Sequence, residues 1–234
     1  MNSEDRYTDG DYLKNNPSWD VEDAPWKADL IFRMMEKHQI QPATICEVGC
    51  GCGEILHQLQ KKMPASTRLT GYEISPQAIE LCKERSNERL QFYLKNYCDE
   101  EENSCDIILL IDVIEHLEDY FRFLRDIKPK SPLKILHIPL EMFVLAVFYQ
   151  QFLLGQRRKV GHLHYFSRDL ALQMLRDLGY EVMDYQYTAG YSLSRDYGLK
   201  DKFLKIPRSL LYPLFPDFTV RVFGGYSLLV LVRS

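Results

Sequence analysis

The sequence predicts an α/β protein built on a doubly wound sheet of seven strands with helical additions. Three observations indicate this class. Strand and helix patterns alternate along the chain, one strand is apolar throughout and suits a position buried on both faces, and another runs directly into a glycine-rich turn. Because 234 residues suffice for one such domain with a sizeable core, we expect a single domain over residues 1–234.

Strands are predicted where short apolar, β-branched or aromatic runs end at turn residues: 44–48, 68–73, 90–94, 106–111, 133–138, 181–187 and 226–232. Helical periodicity fills several of the intervals, at 54–62, 76–85, 117–127 and 168–178, and precedes the first strand at 25–37. Ser75 followed by Pro76 is a typical helix start signal, as is Ser167, and Gly179 is a typical stop. This alternation is typical of a sheet covered by helices.

Three segments lie outside this plan: an N-terminal extension over 1–41 and inserts at 141–161 and 189–225. They contain no repeat or low-complexity linker, so we expect additions to one domain. Additions at the ligand edge of a sheet commonly carry specificity. We therefore predict that the extension forms a lid and that the inserts form a substrate cap. The mixed basic and apolar run 200–215 of the second insert would also suit a surface for a lipid-linked or anionic acceptor, and a contact between two copies of the chain, as in a homodimer, is a further alternative to the cap.

The composition excludes several classes of protein. A hydrophobic content of 46% and a charged content of 26% are ordinary for a soluble protein, and a net charge of -4 gives no general attraction to DNA. No apolar run reaches the roughly 18 to 20 residues of a membrane span. Six cysteines without a secretory leader favour reduced thiols in the cytoplasm, and we expect no metal on Cys46, Cys50 and Cys52.

The most informative motif is Glu47-x-Gly49-x-Gly51-x-Gly53, which follows the first strand and precedes a helix. Glycines at alternate positions let a ligand approach the main chain near the helix N-terminus. A dinucleotide site requires a small residue where Glu54 stands, and a carboxylate there would oppose a pyrophosphate. The motif also lacks the Lys-Ser/Thr ending of a P-loop. The turn therefore favours a cationic or zwitterionic nucleoside.

The same motif resembles motif I of the class I S-adenosylmethionine-dependent methyltransferases. The resemblance implies S-adenosylmethionine as cofactor and a Rossmann-like, mostly parallel seven-stranded sheet whose last strand is antiparallel. It also implies that Glu47 organises the turn, while Gly49, Cys50, Gly51 and Gly53 approach the cofactor.

The ends of the following strands extend the resemblance. It implies that Glu73 accepts the ribose hydroxyl hydrogens and that Ile74 faces the adenine. Asn96 stands where many members of the family have an aspartate. Its amide oxygen is expected to accept a hydrogen bond from the adenine amino group. Asp112 is expected to face the sulfonium and ammonium of the cofactor. Trp26 is predicted to lie over the cofactor as part of the lid, because an aromatic face stabilises a sulfonium.

The run Asp112-Val-Ile-Glu-His-Leu resembles small-molecule methyltransferases of the group that includes ubiquinone-biosynthesis enzymes. Methyl transfer requires alignment of the acceptor and, when the acceptor is protonated, a base. His116, His162 and His164 are candidates because histidine takes up a proton near neutral pH. We predict His116 and His164 as catalytic; a capping or packing role is the alternative for each.

A metal-assisted reaction is a second alternative. Some ubiquinone O-methyltransferases and small-RNA 2′-O-methyltransferases hold a divalent ion with Glu-x-x-Glu-His. This chain has Asp112-x-x-Glu115-His116, with His162 or His164 downstream. Because Asp112 is shorter than glutamate and metal-free relatives share the pattern, we expect no metal.

We therefore predict an S-adenosylmethionine-dependent methyltransferase that acts on a small-molecule acceptor, with oxygen favoured over nitrogen or carbon. One alternative is a metal-assisted RNA or nucleotide-sugar methyltransferase, which the acidic chain disfavours. Another is a non-catalytic protein that binds the cofactor.

Overall fold

The computed structural model describes residues 16, 18, 19, 21–99, 104–190 and 199–234. Its strands are β1 (Thr44–Val48), β2 (Arg68–Glu73), β3 (Leu90–Leu94), β4 (Ile107–Ile111), β5 (Leu133–Pro139), β6 (Glu181–Thr188) and β7 (Ser227–Arg233). They form one sheet in the order β3-β2-β1-β4-β5-β7-β6. β7 pairs antiparallel with β5 and β6, and the other neighbouring pairs are parallel. The predicted doubly wound, mostly parallel sheet and its antiparallel last strand are confirmed.

The described helices are α1 (Ala24–Lys37), α2 (Glu54–Gln60), α3 (Pro76–Cys82), α4 (Tyr120–Ile127), α5 (Val144–Phe148), α6 (Gln151–Lys159), α7 (Arg168–Asp177), α8 (Leu199–Leu211) and α9 (Pro216–Phe223). The predicted caps form, because Ser75 Oγ accepts from Ala78 N and Ser167 Oγ accepts from Leu170 N.

Several helix boundaries differ from the prediction by one to three residues; α2, α3 and α7, for example, end at Gln60, Cys82 and Asp177 rather than at residues 62, 85 and 178. The pattern predicts a helix over 117–127, but α4 begins at Tyr120. Asp119 Oδ1 accepts from Arg122 N at 2.9 Å and caps the helix there. The preceding residues Ile114–His116 form a separate 3₁₀ turn, which places Glu115 and His116 at the edge of the sheet.

Side chains of each strand alternate between two cores. Ile45 of β1 joins the core beneath α1 and α2, whereas the next residue, Cys46, joins the core beneath α4, α7 and α9. All five residues of β4 are buried, as the all-apolar strand predicts. Each fully buried leucine or isoleucine side chain contributes about 1.5–3 kcal/mol to folding relative to an exposed one.

The path of the chain opens a crevice between β1 and β4. From β1 the chain builds β2 and β3 on one side, and then returns to place β4 on the other side of β1. The connections that follow β1 and β4 therefore leave in opposite directions from the carboxyl edge of the sheet, which is where ligands bind in open α/β sheets.

The three added segments are described in part. Residues 1–15 of the predicted extension and 191–198 of the second insert lie outside the described residues. The rest of the extension contributes α1, which packs on α2. The first insert forms α5 and α6, and the second forms α8 and α9, with α9 against α5.

None of the helices in the described part of the chain combines the length and apolar character needed to cross a bilayer.

Candidate functional site

The glycine turn after β1 is tightly packed on both sides. Gly49 and Gly53 have φ of +72° and +76°, a region that favours glycine. A Cβ on Gly49 would lie 3.0 Å from Val113 Cγ2, and one on Gly53 would lie 2.4 Å from the ring of Phe92. Gly49 N also donates to Tyr72 O at 2.8 Å, which fastens the turn to β2. The glycines therefore serve close packing of the turn, and their predicted role in ligand approach stays a prediction.

Glu73, at the end of β2, holds this turn in place. Its carboxylate is only 6% exposed; Oε2 accepts from Gly51 N at 2.9 Å, and Oε1 accepts from Ile74 N and Ser75 N at 2.8 and 2.9 Å. Burial raises the pKa of Glu73, and the three backbone hydrogen bonds oppose that rise. The side chain lines the cavity where the ribose is predicted to lie.

Glu47 is buried beneath the turn. It is 1% exposed, and its Oε2 has no hydrogen-bond partner among the described residues. Burial raises the pKa of Glu47 well above its ordinary value, and the negative charge of Glu73 adds to this. Glu47 therefore lines the cavity as an acid whose neutral form is favoured by burial.

Asp112 occupies a strained position at the end of β4. Its φ is +54°, which is uncommon for a residue with a side chain and is frequent at functional sites. Lys27 Nζ donates to its Oδ2 at 2.6 Å, and His137 Nδ1 donates to its Oδ1 at 2.6 Å. Thr188 Oγ1 lies 2.8 Å from the other ring nitrogen of His137. Although burial raises the pKa of Asp112, His137 and Lys27 hold it well below its usual range.

The hydrogen-bonded group around Asp112 includes three residues that the sequence did not predict: Lys27, His137 and Thr188. Lys27 lies on the first turns of α1, His137 is a polar residue inside an apolar strand, and Thr188 ends β6. The lone histidine in β5 is the one available signal, because a polar side chain in a buried strand needs a partner.

The remaining predicted cofactor residues line the same cavity, which has a volume of about 1630 Å³. Cys50, Ile74, Asn96 and Trp26 all contribute to its wall. Asn96 Oδ1 accepts from Cys98 N at 3.0 Å, so one lone pair of the amide oxygen is already used. The ring of Trp26 meets that of His137 edge-on at a centroid distance of 6.2 Å. The structure thus brings the predicted cofactor residues together around one cavity, except Gly53, which is not among the lining residues and packs against Phe92; their individual roles stay predictions.

The three candidate histidines occupy different positions. His116 and His162 line the cavity with ring centroids 4.8 Å apart. His164 is not among the lining residues; its Nε2 lies 2.8 Å from Leu117 O, and its ring packs against Tyr120. His162 rather than His164 therefore shares the cavity wall with His116.

Next to these histidines lies a buried acid, Glu115. Its side chain is fully buried, and neither carboxylate oxygen has a hydrogen-bond partner among the described residues. Burial raises the pKa of Glu115 well above its ordinary value, with Asp112 adding to the rise.

The lining of the cavity also includes apolar and exposed charged residues. The first insert supplies Phe143, Leu145, Phe148 and Phe152. The exposed charged side chains of the lining are acidic at Asp99, Glu118, Asp119 and Asp126 and basic at Lys95, Arg122 and Lys159. From the second insert, Arg208 reaches the same cavity and donates to Phe223 O at 2.7 Å.

A family model described as a methyltransferase domain matches residues 24–185. No curated protein matches this chain in sequence. Several solved structures share its fold. The plantazolicin methyltransferase BpumL, solved with S-adenosylhomocysteine, is 17% identical over 99% of this chain and 93% of that chain, with a TM-score of 0.64.

Two further structures, also solved with S-adenosylhomocysteine, are similar. The magnesium protoporphyrin IX methyltransferase of Synechocystis PCC 6803 is 14% identical, over 90% of this chain and 83% of that chain, with a TM-score of 0.59. The mycolic acid cyclopropane synthase CmaA1 is 15% identical, over 82% of this chain and 78% of that chain, with a TM-score of 0.59.

The matched residues make up more than half of the chain and include the glycine turn, Glu73 and Asp112. The chain shares its overall fold with the solved structures that cover most of its length. The chain therefore belongs to the methyltransferase-domain family, and its architecture is that of the class I S-adenosylmethionine-dependent methyltransferases.

Proposed function

We propose that this methyltransferase moves the methyl group of S-adenosylmethionine to an oxygen atom of a small molecule with an apolar body. The observation that carries the proposal is the ion pair of Lys27 and Asp112 beside the glycine turn. These opposite charges complement the amino-acid end of the cofactor, with the ammonium toward Asp112 and the carboxylate toward Lys27. The similar structures solved with S-adenosylhomocysteine support this choice of cofactor.

The size and lining of the cavity support a small acceptor. Its volume of about 1630 Å³ exceeds the ~300–1,000 Å³ typical of a pocket for one drug-sized ligand, so cofactor and acceptor have room together. The aromatic wall around Phe143 and Phe152 suits an apolar body. Acidic residues outnumber basic residues in the lining, which disfavours an RNA backbone. Compounds such as plantazolicin and magnesium protoporphyrin IX appear in the names of similar methyltransferases.

Transfer to oxygen requires an in-line approach and loss of a hydroxyl proton. His116 and His162 are the groups of the cavity wall that can assist this loss. To His164 we assign a positioning role. Its backbone N and that of Leu163 donate to Glu115 O at 3.1 and 2.7 Å, which joins the two histidine-bearing segments.

Calorimetry with S-adenosylmethionine tests the cofactor part. Glu73→Gln should weaken binding by about 10-fold or more, because a hydrogen bond to a charged group contributes roughly 1.5–3 kcal/mol. Glu80→Gln, on the exposed face of α3 where Glu80 pairs with Lys83, should bind like the wild type. Absence of cofactor binding by the wild type would overturn the proposal.

Labelled methyl transfer into cell extracts tests the acceptor part. We expect the label in an organic-soluble small molecule, as an ether or ester. Label found in RNA, or on nitrogen or carbon, would contradict the assignment while leaving cofactor use intact.

A further inference from the structure

Glu115 is a buried acid at the wall of the cavity, and its carboxyl group lacks a hydrogen-bond partner among the described residues. It lies in the turn after β4, is fully buried, and has two carboxylate oxygens without a hydrogen-bond partner among the described residues. Burying such a group without a partner is costly, so native proteins rarely leave it so. A group outside the chain is the simplest partner for these oxygens, because they border the cavity.

Two imidazoles complete a cluster around this carboxylate. One ligand atom each from Glu115, His116 and His162 lie within 4.8 Å of one another. Ligand atoms around a single ion at about 2.0–2.2 Å lie roughly 3–3.5 Å apart, so small side-chain rotations would close the cluster on an ion. One carboxylate oxygen and two imidazole nitrogens from the protein leave further positions open to the cavity.

A second layer of hydrogen bonds orients His162. Its Nδ1 lies 2.7 Å from Glu141 Oε2, and a carboxylate accepts, so Nδ1 carries the proton and Nε2 keeps its lone pair. Gln156 Nε2 donates to Glu141 Oε1 at 2.5 Å and fixes that carboxylate in turn. A carboxylate behind a histidine is the usual support of a metal ligand, because it sets the tautomer and raises the basicity of the free nitrogen.

From this geometry we propose that Glu115, His116 and His162 bind one divalent transition-metal ion, with Zn²⁺ or Co²⁺ preferred over Mg²⁺. Nitrogen ligands account for the preference, because Mg²⁺ favours oxygen ligands and retained water. Asp112 is not a ligand, since Lys27 and His137 occupy its two oxygens. The ligand set therefore takes Glu115, His116 and the downstream His162 from the sequence pattern and leaves out Asp112, and it replaces the expectation of a metal-free site.

The role of the ion, unlike its binding, rests on the proposed transfer to oxygen. Glu115, His116 and His162 would hold the ion, and its positive charge would favour loss of the proton of an acceptor hydroxyl. Because these histidines would then be ligands rather than bases, the proton passes to solvent, the acceptor oxygen forms a bond to the methyl carbon, and the carbon–sulfur bond breaks to leave the neutral thioether. No oxidant or reductant takes part.

Titration of the metal-free protein with Co²⁺ tests the site without any acceptor. We expect one Co²⁺ per chain, with visible absorption of nitrogen and oxygen ligation, displaced by Zn²⁺ and unaffected by a large excess of Mg²⁺. His162→Ala and Glu115→Gln should lose at least about 10-fold in affinity, and Glu141→Gln about 10- to 100-fold. Asp112→Asn and His164→Ala should retain the affinity of the wild type.

Circular dichroism shows that each variant is folded, and cofactor calorimetry on the wild type keeps the test of the ion apart from that of the proposed function. Failure of the wild type to bind Co²⁺ or Zn²⁺ one-to-one would overturn the metal site, whatever the cofactor result. So would unchanged affinity in His162→Ala, loss of affinity in Asp112→Asn, or a thiolate charge-transfer band from the six cysteines. Loss of cofactor binding by the wild type, with Co²⁺ still bound, would instead overturn the proposed function.

Discussion

Lys27 Nζ lies 2.6 Å from Asp112 Oδ2 and joins the start of α1 to the end of β4 across 85 positions of sequence. The side chains are 13% and 28% exposed, so solvent screens the pair only in part. The ammonium of Lys27 and the carboxylate of Asp112 balance each other's charge in the cavity. A zwitterionic amino acid can insert between them and form two ion pairs in place of one, so the exchange leaves no charge unpaired.

Lys27→Met should weaken the binding of S-adenosylmethionine by about 10- to 100-fold, because the methionine carboxylate loses a charged donor. The binding of methylthioadenosine, which has no amino-acid end, should change little. Calorimetry with both ligands makes the comparison, and Lys61→Met, on an exposed residue after α2, serves as the control. Equal losses for the two ligands would assign Lys27 a purely structural role.

The fold could be predicted because its signals are local. The apolar run of β4 and the glycine turn after β1 each identify their own position in the sheet. Parallel strands bring their carboxyl ends to one edge, so Glu47, Glu73 and Asp112 could be placed in one site without knowledge of any contact. The start of α4 was predicted three residues too early, because the cap of Asp119 competes with the periodicity of the preceding residues.

The partners of Asp112 could not be predicted in the same way. Lys27 and His137 reach it from elements 85 and 25 positions away, and neither contact leaves a periodic trace in the sequence. The choice between His162 and His164 depends on which side of an irregular segment faces the cavity. Residues 161–167 form neither a helix nor a strand, so no regular periodicity predicts which of the two side chains points toward the cavity.

Glu47→Gln should raise the melting temperature of the cofactor-free protein at neutral pH. Because burial raises the pKa of Glu47 in the folded state, its favourable contribution is complete below the unfolded value near 4.5 and is lost as pH rises through the folded value. Between these two values the wild type loses about 1.4 kcal/mol of stability per pH unit from this group, whereas the glutamine variant does not.

Thermal melts of the Glu47→Gln protein at pH values above 5 should therefore show a gain over the wild type that grows with pH until the folded pKa of Glu47 is reached. Glu36→Gln, on the exposed face of α1, is the matched control and should show a constant difference near zero. A gain for Glu47→Gln that shrinks as pH rises would mean that Glu47 is ionised and stabilising in the folded protein.

Trp26 should report on the cofactor by fluorescence. The chain contains two tryptophans, Trp19 and Trp26, and both line the cavity. We expect quenching on addition of S-adenosylmethionine to persist in Trp19→Phe and to be largely lost in Trp26→Phe. Trp26→Ala should also weaken binding by a few-fold, since a cation over an aromatic face contributes about 0.5–2 kcal/mol. Quenching that disappears only in Trp19→Phe would place the lid contact on Trp19.

Substitution of two glycines by alanine should have opposite effects on stability. In Gly53→Ala the new Cβ meets the ring of Phe92 at 2.4 Å in a backbone with φ of +76°, so we expect a loss of roughly 1–3 kcal/mol. Gly155 lies within α6 with nothing within 4 Å of its Cβ position, and alanine there should stabilise by about 0.5–1 kcal/mol. Urea unfolding at pH 7 measures both. If Phe92→Ala restores stability to the Gly53→Ala protein, the loss arises from the ring contact; if the loss persists unchanged, the positive φ alone accounts for it.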